Sequence, residues 1–397
     1  MVSCRLPSSF GGLALTDSGL SMTNRRASAL LCQSVTRGVA VLPPRQPARG
    51  ADVWAALAPC LVLALATPPA ARASGWTDVV REALGPLPRD ESLSRAAGFA
   101  LRGVEQAPTR AAIDEALRHE GLADVDVVPV FVAGAPAGLG AALAARLEPA
   151  AGDRRLTHFG LAAIDRGGRR AVLALLVERH VELAPLARRV SGEVIVSGRR
   201  IRDGRLELFE TLPSGEVRRR PVIERGRAVG VPVGAGVEGG LHVVELLLHG
   251  PRGPEVAALW RFERGPVVPR ATVPAREPAA VEASIAATRR ELARDPLARD
   301  PRLDRAAQTH AEAVCTRGRA LHVPSAGDTP EARARREGYV GPIAENVAIA
   351  ESLEAADQLI DESPSHRANR LWTEATRLGL GVARRGAQVC WVELYGR

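Results

Sequence analysis

Lysine is absent: all 53 basic residues of this 397-residue chain are arginine, and against 45 acids they leave a net charge of +8. The sequence pI near 10.3 invites a nucleic-acid partner, since clustered cations neutralise phosphates. Two features argue against one. Aromatic residues make up only 3%, too few for base-stacking platforms, and the chain is rich in arginine and alanine throughout. Long apolar runs are also scarce. The longest, residues 53–66, has fourteen residues, too few for a bilayer core of about 30 Å, so no transmembrane anchor is expected. Cysteine is rare, with five in all, at 4, 32, 60, 315 and 390. What is present is a globular balance of 46% hydrophobic and 25% charged residues, at a length that suits two to three domains.

The short apolar run reads as the core of an export signal. Arg45 and Arg49 precede it, and Ala71-Arg72-Ala73 follows with a small-x-small cleavage pattern, which predicts a leader over residues 1–73 cut after Ala73. A buried core helix is the alternative reading of the run. Arg25-Arg26 sits in surroundings that fit a twin-arginine signal poorly, and Pro59 before Cys60 spoils a lipoprotein box. The leader holds seven arginines and two aspartates, so it carries +5 of the charge and leaves +3 on a mature, extracytoplasmic protein. That removes the main support for a nucleic-acid partner. Cys315 and Cys390 then remain, either as a disulfide suited to an oxidising compartment or as two buried thiols.

Prolines 266, 269, 274 and 278 mark residues 265–278 as a linker. Upstream, residues 188–264 alternate short apolar runs with turn residues, which predicts a β-sandwich of the immunoglobulin-like size class. No chemistry is visible in it. His180, His242 and His249 lie beside or within apolar strands with no acidic or cysteine partner at ligand spacing, and they read as structural.

Residues 279–397 carry the most information. Asp300 is a plausible N-cap with Pro301 at the first helical position, and apolar or small residues at 303, 306, 307, 310, 311 and 314 keep the helical period up to Gly318. Further helices are predicted over 330–337 and 353–361, then strands over 378–383 and 388–395. His310 falls on the apolar side of the first of these helices and reads as core.

Within this frame stand Leu321-His322-Val323, Ala344-Glu345-Asn346-Val347-Ala348, Ser363-Pro364-Ser365-His366-Arg367, Leu378-Gly379-Leu380-Gly381-Val382 and Trp391-Val392-Glu393-Leu394-Tyr395. In this order and spacing they resemble the bacterial branch of the CAP superfamily, which unites cysteine-rich secretory proteins, antigen 5 and plant pathogenesis-related class 1 proteins. The resemblance implies an α-β-α sandwich, hence an α+β fold class, a secreted location and a surface cleft lined by histidine and glutamate. His322 and His366 match the two cleft histidines, Glu345 the cleft glutamate and Asn346 its neighbour. The family's second acidic position falls on Ser363, with Glu362 nearby as a substitute.

Two imidazoles and one carboxylate could hold a divalent metal such as zinc through His322 and His366. They could also form an acid-base pair, or simply hydrogen-bond and fix the loops. No serine or cysteine nucleophile accompanies them. The expected function is a binding module for an extracytoplasmic ligand or envelope component, with a metal-assisted hydrolase as the alternative.

Residues 76–187 repeat the pattern in degraded form. Asp90-Glu91-Ser92-Leu93 parallels Asp300-Pro301-Arg302-Leu303, Glu120-Gly121-Leu122 parallels Glu337-Gly338-Tyr339, and Phe159-Gly160-Leu161 parallels Leu378-Gly379-Leu380. Leu147 stands thirteen residues before Gly160, as His366 stands thirteen before Gly379. This predicts a divergent CAP-like domain without the histidines.

Overall fold

The computed structural model describes residues 2–5, 74–103, 106–234, 238–267 and 276–397. The expected export leader, apart from Val2–Arg5, and most of the Pro-rich linker lie outside the described residues.

Val2–Arg5 forms β1. The chain continues through α1 (Ser74–Leu84), α2 (Glu91–Ala100), α3 (Arg110–His119), β2 (Val127–Gly134), α4 (Leu139–Ala151), β3 (His158–Arg166) and β4 (Arg169–Val177). The three-stranded sheet has the order β2-β4-β3. Strand alternation divides β4 between two cores. Leu173, Leu175 and Val177 pack with α2 and α3, whereas Val172, Ala174 and Leu176 pack with α1 and α4. The result is an α-β-α layering.

Eight strands follow: β5 (Val181–Leu183), β6 (Val194–Arg200), β7 (Arg205–Thr211), β8 (Val217–Arg220), β9 (Ile223–Arg225), β10 (Ala228–Val233), β11 (Gly240–Gly250) and β12 (Gly253–Arg264). They make two four-stranded sheets, β5-β6-β10-β9 and β12-β11-β7-β8, which share one apolar core around Leu208, Val231, Leu246 and Trp260. β5 pairs with β6, so the first of these strands begins upstream of residue 188.

The last segment comprises α5 (Pro278–Glu291), β13 (Ala298–Arg299), α6 (Pro301–Arg317), α7 (Pro330–Arg336), β14 (Ile343–Ala350), α8 (Leu353–Glu362), α9 (Pro364–Arg370), β15 (Arg377–Arg385) and β16 (Gln388–Gly396). Its sheet has the order β1-β14-β16-β15-β13. Cys390, Val392 and Leu394 of β16 face α6 and α7, while Val389, Trp391 and Tyr395 face α5 and α8. Mixed α+β content and the α-β-α layering are both present. Cys315 at the end of α6 is disulfide-bonded to Cys390 of β16, with alpha carbons 5.5 Å apart.

The first and last segments share more than element order. Asp90 and Asp300 each cap a helix and donate their backbone N–H to the following β3 or β15 strand, at Phe159 O (2.8 Å) and Leu378 O (2.9 Å). Leu161 N–H donates to Ser94 Oγ, and Leu380 N–H donates to Asp304 Oδ1. The C-terminal turns of α3 and α7 close identically, by Leu122 N–H to Leu117 O and Tyr339 N–H to Ala334 O, both 2.9 Å. A Cβ on Gly160 would lie 2.3 Å from the Leu93 carbonyl carbon, and one on Gly379 would lie 2.3 Å from that of Leu303.

Candidate functional site

The site grows out of β14. Every residue from Ile343 to Ala348 is buried, and the two-residue period sends Glu345 to the α6/α7 face with Ile343 and Val347. Asn346 goes to the α8/α9 face with Ala344 and Ala348. Adjacent candidate residues therefore serve opposite layers.

On the first face, His322 Nδ1 donates to Glu345 Oε1 at 2.7 Å, and Arg333 Nη2 donates to Oε2 at 2.6 Å. Arg333 also donates through Nη1 to His322 O and Asp328 O, tying the histidine's backbone to the same guanidinium. His310 Nε2 bonds Leu321 O at 3.0 Å and lies 3.7 Å from Glu345 Oε1. Burial pushes the Glu345 carboxyl up, but Arg333, His310 and the His322 bond outweigh it and hold the group well below the usual carboxylate range. Burial pushes His310 down, to about 4. Glu345 is thus a buried anion with both oxygens engaged.

On the second face, Asn346 Nδ2 donates to His366 O (3.1 Å) and Glu393 Oε2 (2.8 Å), while Asn369 Nδ2 donates to Asn346 Oδ1. Glu393 also accepts from Arg370, Trp391 Nε1 and Tyr395 OH. This network fixes α9, whose N-cap Ser363 accepts from His366 N–H. His322 and Glu345 are bonded directly, and His366 joins through its backbone and Asn346. The resemblance implied a surface cleft, yet all four side chains are fully buried.

Cover comes from β1, which pairs with β14 in a register that sets Arg5 opposite Glu345 and Cys4 opposite Asn346, and from the preceding sheets. Glu362 does not fill the role of the acid missing at Ser363, because it pairs with Arg261 on β12 and accepts from Gln358. The carboxylate that reaches Ser363 is Glu245 of β11. It accepts from Ser363 Oγ (2.8 Å), Ser365 N–H (2.9 Å) and Ser365 Oγ (2.9 Å). Burial raises its pKa despite those bonds.

Among the described residues no three His, Cys, Asp or Glu side chains converge at ligating geometry, and both Glu345 oxygens are already committed.

Sequence reasoning missed Arg333 and Glu245. Arg333 was recoverable, because Pro330, Arg333 and Ala334 form the buried face of α7 at helical spacing. Glu245 was not, because its partners lie 118 and 120 residues away. Acidic partners of the sandwich histidines escaped for the same reason. Spacing along the chain hides cross-strand pairs such as His242 Nδ1 with Glu210 (3.0 Å) and His249 Nε2 with Glu207 (2.7 Å).

Among known families, the model described as "Cysteine-rich secretory protein family", CAP, matches residues 283–395. No curated protein matches. Similar solved structures include an outer surface protein of Borrelia burgdorferi, at 22% identity over 30% of this chain and 90% of that one, TM-score 0.28. An extracellular SCP-domain protein of Bacillus anthracis shares 17% identity over 45% of this chain and 66% of its own, TM-score 0.26. A cysteine-rich secretory protein of Staphylococcus aureus shares 12% over 51% and 75%, TM-score 0.25. No helix among the described residues is long and apolar enough to cross a membrane. The carboxy-terminal part of this chain, residues 283–395, is a CAP domain of the cysteine-rich secretory protein family.

Proposed function

We propose that the protein is an extracytoplasmic binding module of the cell envelope whose CAP domain presents a rigid, prearranged site. The observation that carries this reading is the saturation of Glu345, with one oxygen on His322 and the other on Arg333. A carboxylate held as a permanent anion by a guanidinium positions its neighbours, but it is a poor general base because its pKa lies far below the operating pH. Secretion follows from the expected leader over residues 1–73. If the leader is cut after Ala73, β1 leaves with it.

We further infer that residues 76–187 are a divergent copy of the CAP fold. Strand register aligns the copies: Gly160 faces Leu175, which faces Pro129, and Gly379 faces Leu394, which faces Glu345. Pro129 and Val130 thus occupy the places of Glu345 and Asn346. Leu147, a buried core residue, stands where the spacing puts His366. Such a copy keeps the scaffold and has no site chemistry, and the intervening strands serve as a spacer of immunoglobulin-like size.

The metal-assisted hydrolase remains the competing reading, through His322 and His366. Elemental analysis and zinc calorimetry of the purified chain separate the two. Binding by a saturated site predicts no stoichiometric zinc and no difference between wild type and the His322→Ala, His366→Ala double variant. Stoichiometric zinc lost in that variant would favour the hydrolase.

A further inference from the structure

His322 keeps one polar atom unused. Its Nδ1 bonds Glu345, while Nε2 is buried with no hydrogen-bond partner among the described residues. A buried polar atom without a partner is costly in a finished core. It is understandable in a site that a ligand completes. With Nδ1 donating to Glu345, Nε2 of a neutral ring is an acceptor, suited to a hydroxyl or amide N–H.

The β11–β12 hairpin reaches the His322 side chain at Gly253, the first residue of β12. Gly253 sits there at φ 92°, and a Cβ on it would lie 3.2 Å from His322 Cβ, 3.5 Å from Val323 Cγ2 and 4.0 Å from His322 Cδ2. A Cβ there would be tight against His322, and the positive φ favours glycine in its own right. The same hairpin holds the other histidine's helix, through Glu245 and the hydroxyls of Ser363 and Ser365. Arg367, next to His366, donates to Gly215 O in the turn before β8 at 2.9 Å. Arg319, three residues before His322, pairs with Glu178 and Asp153 of the first segment at 3.1 and 2.9 Å. Both histidine-bearing stretches are therefore gripped from outside the CAP domain.

We propose that the turn end of the β11–β12 hairpin, around Gly253, is an intramolecular occupant of the CAP site, and that a ligand bearing a hydroxyl or amide N–H reaches His322 Nε2 only when that end shifts away. This rests on reading His322 as the binding group of the proposed module. Gly253 is the fit residue of the occupant, and Glu245 is its latch.

Histidine labelling of the full chain by diethyl pyrocarbonate, read by mass spectrometry, tests this. His119, about half exposed, sets the rate of an accessible ring. His310, bonded to Leu321 O beneath the site, reports general unfolding. In the wild type, His322 should label at least tenfold more slowly than His119. In Gly253→Leu and, separately, Glu245→Ala, His322 should approach the rate of His119 while His310 stays protected.

The proposal is overturned if wild-type His322 labels as fast as His119, if it stays protected in both variants, or if His310 labels in step with it in both. No partner is needed for this readout. Correct labelling without any envelope binding would defeat the proposed function while leaving the hairpin's role intact.

Discussion

Glu345 is stabilised by the His322 ring N–H and by Arg333, whose only other carboxylate neighbour among the described residues is Asp328 at 3.4 Å. Replacing Glu345 by glutamine keeps the shape but leaves Arg333 buried beside a neutral amide. Loss of one partner of a buried pair costs about 3–5 kcal/mol, so Glu345→Gln should lower the denaturation midpoint accordingly in a urea titration. His310 supplies a pH signature. Its folded pKa of about 4 lies below the value near 6.5 of a free imidazole, so the native state keeps the ring neutral. That contribution, about 3 kcal/mol, is fully present above pH ~6.5 and is lost as pH falls towards 4. Melting temperature should therefore drop across that window, and His310→Gln should flatten this part of the profile. The four candidate residues were legible because they stand in ordered motifs. Helical spacing also puts Arg333 on one face of α7 with Pro330 and Ala334, whereas Glu245 was not legible, because its partners lie 118 and 120 residues away.

The helices and their ends were the most legible elements. Asp300, Pro301 and Gly318 bound α6 as capping chemistry predicts, with Gly318 at φ 66° in the left-handed region. α9 escaped notice, although Ser363 followed by Pro364 is a cap and a first helical residue. β14 read only as a motif, because a strand buried on both faces shows no alternation. The close approach at Gly160 and Gly379 yields a paired prediction. Alanine at either position drives a methyl into the backbone of Leu93 or Leu303, an overpacking cost of about 1–3 kcal/mol. Thermal denaturation should show similar losses for both single variants, and a cost at only one would break the equivalence of the two copies. The bond between Cys315 and Cys390 closes a loop of 75 residues, for which chain entropy gives about 4.5 kcal/mol. Reduction, or Cys315→Ser with Cys390→Ser, should lower stability by up to that amount.

Taken whole, the described chain is two α-β-α layered segments and a pair of sheets between them in sequence, with the candidate site residues in the last segment. Charge tells little about its task, since most of the net excess lies in residues 1–73 and the described surface is laced with arginine–carboxylate pairs such as Arg170–Asp165 and Arg199–Glu182. Such exposed pairs contribute little each. The division into segments was visible in proline content and strand rhythm. The cover over the site was not, because it depends on contacts made more than a hundred residues apart. The proposed role as an envelope-binding module is tested most directly by co-sedimentation of the purified chain with isolated cell envelopes. The bound fraction should rise to saturation with envelope concentration and should not change on adding zinc or a chelator. A protein that stays in the supernatant at every envelope concentration would contradict the account.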